Sequence, residues 1–463
     1  MKKCSRKKTS FAKSRTILTT GIVFLYLFIF ISVPKGWAIA KKPPHKDLEP
    51  TRATQKSVAP SLSLLDCYQM ALKRSETIAI KKEAIEETEA EFLKATGEIF
   101  GDVDFLITHF RQDSLGNQSG GGSSTVGSTF TARDRRERKF VITQPLFQGF
   151  KSIAALGAAG SLKKQRKQER IRAEQLLFMD VARAFYAVLK EARDREIIEG
   201  IHKSYEERIQ ELAEREKIGR SRTSELATAT SRMKILESEL ARVHGLYAVS
   251  VHVLEFLVGT TVDPKRLQDD TPIVEITPEL EGYLELVEVR PDVEASKQAM
   301  KTMWRGVIEA QSKFWPEISL DSNVYEKREG FQSGISWDVL FKINVPLSRG
   351  GENLGNLKQA VTRWKESKLS YSLEKRQADL EIKQAYQNCL ASLNQSKALE
   401  EAVTASENNF NLQKEDYSHN LVSNLDVLEA LQELYDTRRQ TNEVHYQMRE
   451  NYWQFKVAIG EVP

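Results

Sequence analysis

Histidine and cysteine are the side chains most able to supply bases, nucleophiles or metal ligands, and this chain of 463 residues has seven histidines and three cysteines. The histidines show none of the spacings typical of metal sites or catalytic triads. Cys67 and Cys389 are hundreds of residues apart, a separation that matches no metal-binding pattern. The sequence therefore predicts no enzyme, no metal site and no cofactor, and we turn to the elements that build the chain.

The first forty residues have the pattern of a secretory signal peptide. They contain eight Lys or Arg and no acidic residue, with a mostly apolar stretch over residues 17–33, and Ala38-Ile39-Ala40 fits a cleavage site. An uncleaved inner-membrane anchor is the alternative, because this stretch is near the lower limit for a membrane span. Removing residues 1–40 leaves 60 basic (68 minus 8) and 64 acidic residues, a net charge of −4. The sequence therefore does not predict a nucleic-acid partner. Residues 41–61 are expected to be a linker.

Two long runs without proline indicate an internal duplication. Residues 146–263 and 347–462 contain no proline, the residue that would break a helix. The runs align at a constant offset of 201 positions, starting with Pro145-Leu146 against Pro346-Leu347. Self-similarity in a fixed register predicts repeated architecture. We expect a first repeat over 62–273 and a second over 274–463, each with the order helix, two strands, long helix, tip and helix.

Four segments alternate between apolar and polar residues, which is typical of strands with one apolar face. The segment at residues 140–143 is short, because residues 135–139 before it are charged. Pro145 with Gly149, and Pro346 with Gly350, are expected to form strand-to-helix turns. The apolar positions predicted for the strands are Phe105, Ile107, Phe140, Ile142, Leu320, Val324, Trp337, Val339, Phe341 and Ile343.

The predicted lengths limit the architecture. Helices over 151–218 and 352–418 would each be on the order of 100 Å long, and the shorter helices over 64–99 and 225–258 about 50 Å each. Four strands cannot close a membrane barrel, since the smallest have eight, and an open edge is not tolerated in lipid. Strands must therefore come from several chains. Three chains would give twelve strands, although two or four chains satisfy the same count.

At this point the motifs, taken in order, resemble the TolC-like outer-membrane efflux proteins over roughly residues 62–460. No single motif is specific, but their order within a duplication is. The matching segments are residues 62–72 at the opening helix, Arg290-Pro291-Asp292-Val293 at the start of the second repeat, 310–316 at a helix-to-strand turn, 346–351 at a strand-to-helix turn, and 426–430 at the periplasmic tip.

The resemblance implies an α+β membrane protein with no catalytic chemistry. It implies a homotrimer in the outer membrane, in which a 12-stranded β-barrel with four strands per chain stands on a periplasmic α-helical coiled-coil tunnel. Such a channel gives passive exit to substrates of a tripartite efflux pump or a type I secretion system, together with a periplasmic adaptor protein and an inner-membrane transporter. Drugs, metal ions and polypeptides all use this architecture, so the substrate stays open.

A non-pore interpretation competes with this one. A structural or adhesive periplasmic coiled-coil protein would explain the polar helices with narrow apolar stripes. It would not explain the alternating strands or the duplicated order of elements.

The resemblance also places acidic residues at the periplasmic entrance, where three-fold symmetry would make them rings. Asp426 and Glu429 take these places in the second repeat, and Glu225 is the related residue of the first. Like carboxylates arranged in a ring attract cations. The alternative is a solvated helix start, where acidic residues are favoured by the helix dipole.

The family closes its entrance with bonds between its inner and outer coiled coils. Tyr417 stands where a latch tyrosine is expected, but the latch arginine position is Val422. Arg220 or Arg222 of the other hairpin is a candidate replacement. Gly219 and Asn420 are expected at the tip turns, and asparagine tolerates the left-handed geometry required there.

The two cysteines of the mature chain lie at similar depth. Cys67 is about 35 residues from the first strand and Cys389 about 39 from the last, which places them within about 10 Å along the rod. A disulfide is one expectation, since the periplasm is oxidising. Two separately buried thiols are the other.

Overall fold

The computed structural model describes residues 61–111, 134–269, 279–329 and 332–462. The predicted signal peptide and all but Ser61 of the predicted linker lie outside these ranges. The described residues are mainly helical and include one four-stranded sheet, so the predicted α+β fold is confirmed.

The same order of elements occurs in both halves. The first half has helices α1 (Leu64–Arg74) and α2 (Glu76–Phe100), strands β1 (Asp102–Arg111) and β2 (Asp134–Gln148), and helices α3 (Lys151–Lys217) and α4 (Thr223–Val258). The second half has a short helix α5 (Leu280–Leu284), helix α6 (Pro291–Ser312), strands β3 (Glu317–Arg328) and β4 (Trp337–Asn344), and helices α7 (Glu352–Ser418) and α8 (Asn424–Ala458).

Helices α3 and α7 have 67 residues each, which makes each about 100 Å long. Helices α2, α1 and α4 pack along α3, and α6 and α8 pack along α7. Two shorter helices therefore cover one long helix in each half, as their lengths predicted.

The opening helix is interrupted, whereas the sequence predicted one helix over 64–99. Ser75 has φ −60° and ψ 115°, and its hydroxyl accepts a hydrogen bond from the Ile78 N–H. A serine that bonds to the backbone in this way favours a helix start over a helix interior. The chain therefore ends α1 at Arg74 and restarts as α2.

The four strands form one antiparallel sheet in the order β1-β2-β3-β4, so β1 and β4 are its edges. β2 has 15 residues and is much longer than predicted, because the charged residues 134–139 continue the ladder with β1. Pro145 lies inside β2, next to a register shift between Pro145 and Phe147, and not in a turn. Proline is tolerated at such an irregularity because the regular ladder is already interrupted.

Two hydrophobic clusters stabilise the helical part. The larger joins α1, α3, α4, α7 and α8 near the middle of the chain's helices, with Phe178 and Phe185 fully buried. The smaller lies toward the hairpin ends and includes Tyr205, Leu212 and Leu431. The helices between them are polar, so these clusters fix how the helices pack.

A buried arginine anchors the start of α6. Arg290 is 1% exposed, and its guanidinium donates to the carbonyls of Ala378 and Ala458 at 3.3 and 3.1 Å. It also pairs with Asp292 and, at 2.7 Å, with Glu381. One side chain thereby ties α6 to α7 and to the end of α8.

Cys67 and Cys389 are both free and buried, so the structure does not contain the disulfide considered from the sequence. α1 packs on α3 and α4, whereas α7 packs mainly on α8 and α6. Similar depth along the rod does not bring two side chains into the strict geometry of a disulfide. Burial raises the pKa of each thiol to about 11.

We expect Arg290→Met to lower the free energy of unfolding by about 3 kcal/mol, because Asp292 and two buried carbonyls lose their donor. Denaturant unfolding followed by circular dichroism measures this. The control is Arg193→Met, which removes a solvent-exposed pair with Glu196 and should cost about 0.5 kcal/mol or less. Equal losses in the two variants would contradict a special role for Arg290.

We expect both thiols to resist alkylation in the folded protein. With a pKa of about 11, the thiolate fraction at pH 8 is on the order of one in a thousand, and the thiolate is the nucleophile. Iodoacetamide labelling followed by mass spectrometry should find both residues free and slow to react, and fast to react after unfolding. A linked peptide pair under non-reducing conditions would contradict the structure.

Candidate functional site

The two hairpin ends are built alike. α3 and α4 are joined by residues 218–222, and α7 and α8 by residues 419–423. Gly219 has φ 73° and Asn420 has φ 60°, both in the left-handed region. These two residues, 201 positions apart, reverse the chain at the predicted tips.

Asp426 belongs to a capping box at the start of α8. Its Oδ2 accepts hydrogen bonds from the Ser423 backbone N–H and hydroxyl, both at 2.7 Å, and the Ser423 hydroxyl accepts from the Asp426 N–H. The hydrogen bonds from the Ser423 side chain and backbone hold the pKa of Asp426 below its ordinary value. The carboxylate is exposed to solvent and stays charged in mild acid.

The other two acidic candidates differ in their surroundings. Glu429 is exposed one turn after Asp426, on the same face of α8. Glu225 is partly buried in the first turn of α4, and its carboxylate accepts from the Ser221 hydroxyl at 2.8 Å. The second tip therefore presents two exposed carboxylates, and the first presents one that is hydrogen-bonded locally.

Two arginines make cation–π contacts with the ring of Tyr417. The guanidinium carbons of Arg208 and Arg215 lie 3.7 and 4.5 Å from the centre of its ring. Both arginines come from α3, so the contact joins the two hairpins of the chain. Arg220 and Arg222, which the sequence suggested, are not the residues that hold Tyr417.

Further polar contacts fix the Arg208 side chain, which is 6% exposed. Its Nε donates to Asn424 Oδ1 at 2.8 Å and its Nη1 to Glu211 at 2.7 Å. Glu211 also pairs with Arg215 at 3.0 Å. Sequence reasoning missed this group. Its one sequence signal is that Arg208 and Arg215 are seven residues apart, which places them on the same side of a helix.

Val422 makes apolar contacts at the tip. It packs against the smaller hydrophobic cluster, where the family pattern led us to expect an arginine. Positive charge reaches Tyr417 from α3 instead.

The ten predicted strand positions all lie on one face of the sheet. The register pairs Phe105 with Phe140, Phe140 with Val324, and Val324 with Trp337, and residues two apart share a face. The other face carries Lys139, Asn323, Tyr325 and Asp338, and Asp338 accepts hydrogen bonds from Asn323 and Tyr325 at 2.7 Å each. The sheet thus separates an apolar side from a polar side.

The strand-to-helix turns use glycine. Gly149 has φ 60°, and a Cβ there would lie 2.6 Å from the Ser312 carbonyl oxygen. Gly350 has φ 57°, and Pro346 lies between β4 and α7. These turns direct the strands into α3 and α7 at the same end of the sheet.

Comparison with known proteins shows a likeness to outer-membrane efflux proteins. The family described as Outer membrane efflux protein matches residues 283–461. The matched segment is 179 residues long (283 to 461 inclusive) and lies in the second half of the chain. This likeness agrees with the motifs found in the sequence.

Similar proteins and solved structures extend the likeness to more of the chain. Cation efflux system protein CusC of Escherichia coli (strain K12) is 23% identical over 298 residues, which are 62% of this chain and 64% of CusC. The match thus spans less than two thirds of that relative. The crystal structure of CusC has a TM-score of 0.75 at 18% identity, over 92% of this chain and 100% of that one. VceC from Vibrio cholerae has a TM-score of 0.74 at 20% identity, over 86% and 96%.

We expect Tyr417→Leu to loosen the contact between the hairpins, because desolvated Arg208 loses its aromatic partner. A loss of about 1.5 kcal/mol should speed local amide exchange at residues 417–424 roughly tenfold. Tyr417→Phe keeps the ring and should leave exchange nearly unchanged. Equal acceleration in both variants would show that the hydroxyl, and not the ring, makes the contact.

Proposed function

We propose that this chain is one subunit of an outer-membrane channel that gives passive exit to the substrates of a tripartite efflux pump or a type I secretion system. The observation that carries the proposal is a four-stranded sheet with one apolar face and two open edges, placed at one end of helices about 100 Å long. The alternative, a non-pore coiled-coil protein, does not explain a sheet of this kind.

Homotrimer formation follows from the open edges. Within the described ranges no strand pairs with the outer edge of β1 or β4, and three copies of four strands would close a 12-stranded barrel. The helices offer a second contact. Leu246, Val249, Val253 and Phe256 are exposed along one stripe of α4, the one described helix that is long and apolar enough to cross a membrane. Because α4 packs along α3, we assign this stripe to a neighbouring subunit.

The length of the helices bears on which proteins the channel would contact. Helices about 100 Å long would carry the channel across much of the periplasm. A periplasmic adaptor protein and an inner-membrane transporter would supply the drive. CusC, a similar protein, is described as part of a cation efflux system.

The entrance is placed at the hairpin ends. Three copies of Asp426 and Glu429 around an axis would form two acidic rings, which attract cations. The family resemblance assigns these positions, and the exposure of both carboxylates supports it. Such rings select by charge, so the identity of the substrate depends on the partner pump.

In planar bilayers we expect the purified protein to conduct, with a preference for cations that Asp426→Asn together with Glu429→Gln reduces. The amide oxygen introduced at position 426 would still accept the Ser423 bonds, so the change removes charge and keeps the cap. Because the pKa of Asp426 is lowered, the contribution of its charge should persist as the pH falls through the ordinary aspartate range.

Reversal potentials in a salt gradient measure this preference. Glu401→Gln, an equal charge change on an exposed site of α7 away from the tip, is the control and should leave the preference unchanged. A soluble, non-conducting wild-type protein would contradict the channel. A conducting protein whose preference is the same in all variants would contradict the acidic entrance only.

A further inference from the structure

The apolar face of the sheet ends abruptly on the side away from the helices. Ile107 is paired with Arg138, His109 with Arg136, and Arg138 with Lys327. Because Arg138 and Arg136 follow the alternation of Phe140, they project from the same face as the apolar band. The outward face of the sheet therefore changes from apolar to charged within one step along β2.

The height of these cations suits the polar layer of a membrane. Arg138 is two residues and Arg136 four residues beyond Phe140, which places them about 7 and 13 Å past it along the strand. Strand tilt reduces both heights. The headgroup layer on each side of a bilayer is on the order of 5–8 Å thick. The cations would lie where headgroups begin, directly above side chains that face hydrocarbon.

The outward cations are only partly neutralised. Arg138 has one ion pair, at 3.4 Å to Glu326, and both side chains are about half exposed. Lys327 pairs with Glu329 at 2.8 Å and is 47% exposed. Arg136 is exposed, and the nearby Glu329 carboxylate accepts a hydrogen bond from the Arg136 backbone N–H at 3.1 Å and interacts with the charge of its side chain. Arg138 and Lys327 are thus about half open to solvent, while the Nε of Arg138 is buried without a hydrogen-bond partner among the described residues.

Two of the inward cations at the same height, Arg328 and Lys139, are largely covered by protein contacts, and a third, Arg135, is exposed 5.4 Å from the ring centre of Phe110. Arg328 lies 4.2 Å and Lys139 5.6 Å from the ring centre of Tyr325. Their side chains are only 18% and 20% exposed, and both approach Glu137. Arg328 and Lys139 are thus less available to a ligand than Arg138 and Lys327 on the outward face.

We infer that Arg136, Arg138 and Lys327 form an outward-facing site for the phosphate groups of membrane lipid headgroups. The inference rests on the proposed function, because the sheet must stand in a membrane with this end outward. Guanidinium and ammonium groups are suited to phosphate oxygens, and the adjoining apolar residues would accommodate the acyl chains. A phosphorylated lipid satisfies both parts of the surface, whereas free phosphate satisfies only the first.

The test uses the full-length protein in phosphatidylcholine nanodiscs with added diphosphoryl lipid A, with retained lipid counted by native mass spectrometry. The variant R136Q/R138Q/K327Q should bind lipid A more weakly, by about fivefold for each cation removed. The matched control R135Q/K139Q/R328Q removes three cations at the same height from the opposite face. It should retain lipid A like the wild type, and dephosphorylated lipid A should not distinguish the three proteins.

Equal loss in both triple variants, or loss in neither, would overturn the inference, as would full competition by inorganic phosphate, which would indicate a free-anion site. If the outward triple variant does not assemble, R136Q alone should show the fivefold effect and R136K should restore binding. Conductance is recorded on the same samples. A conducting protein without lipid selectivity refutes this inference alone, and a non-conducting wild type refutes the channel.

Discussion

A strand edge exposes a row of backbone N–H and C=O groups, and each one left unpaired in hydrocarbon costs several kcal/mol. The apolar face of this sheet suits lipid, yet β1 and β4 are open edges. The sheet can enter a membrane only if other copies pair with it. Because all strands connect to helices at one end, closing the barrel also brings the helices together around the same axis. The tunnel is thus a consequence of barrel closure.

Buried arginines hold the helical part where apolar area is scarce. Arg290 fixes α6 against α7 and α8 at the level of the larger hydrophobic cluster, and Arg208 fixes α3 against α7 and α8 near the tips. A charge out of water demands several partners in a definite geometry. We interpret the two residues as setting the relative position of the helices, which a narrow stripe of apolar contacts would leave free to slide.

Periodicity carried most of the prediction. Alternation found all four strands and the side on which Phe105 or Trp337 lies, and the proline-free runs found both long helices. Local sequence patterns did not predict features that depend on contacts with residues far away in the sequence. β2 continues through charged residues because β1 pairs with them, and Tyr417 is held by Arg208, which is 209 positions away. Ser75 interrupts a helix because its hydroxyl accepts a hydrogen bond from the Ile78 N–H. The spacing of apolar residues contains no signal for this interruption.

The two tips of the duplicated chain have diverged in how their second helix begins. At α8 the Ser423 and Asp426 side chains bond to each other's backbone N–H groups. At α4 the related position is Arg222, which makes no capping bond, and Glu225 turns to Ser221. A full capping box satisfies two backbone donors with side chains, whereas at α4 the equivalent Glu225 N–H donates to the Arg222 carbonyl at 2.9 Å. The α7–α8 tip, which carries the two exposed carboxylates, is therefore the one whose second helix begins with side-chain capping bonds. Asp426 both caps the start of α8 and presents its negative charge to solvent.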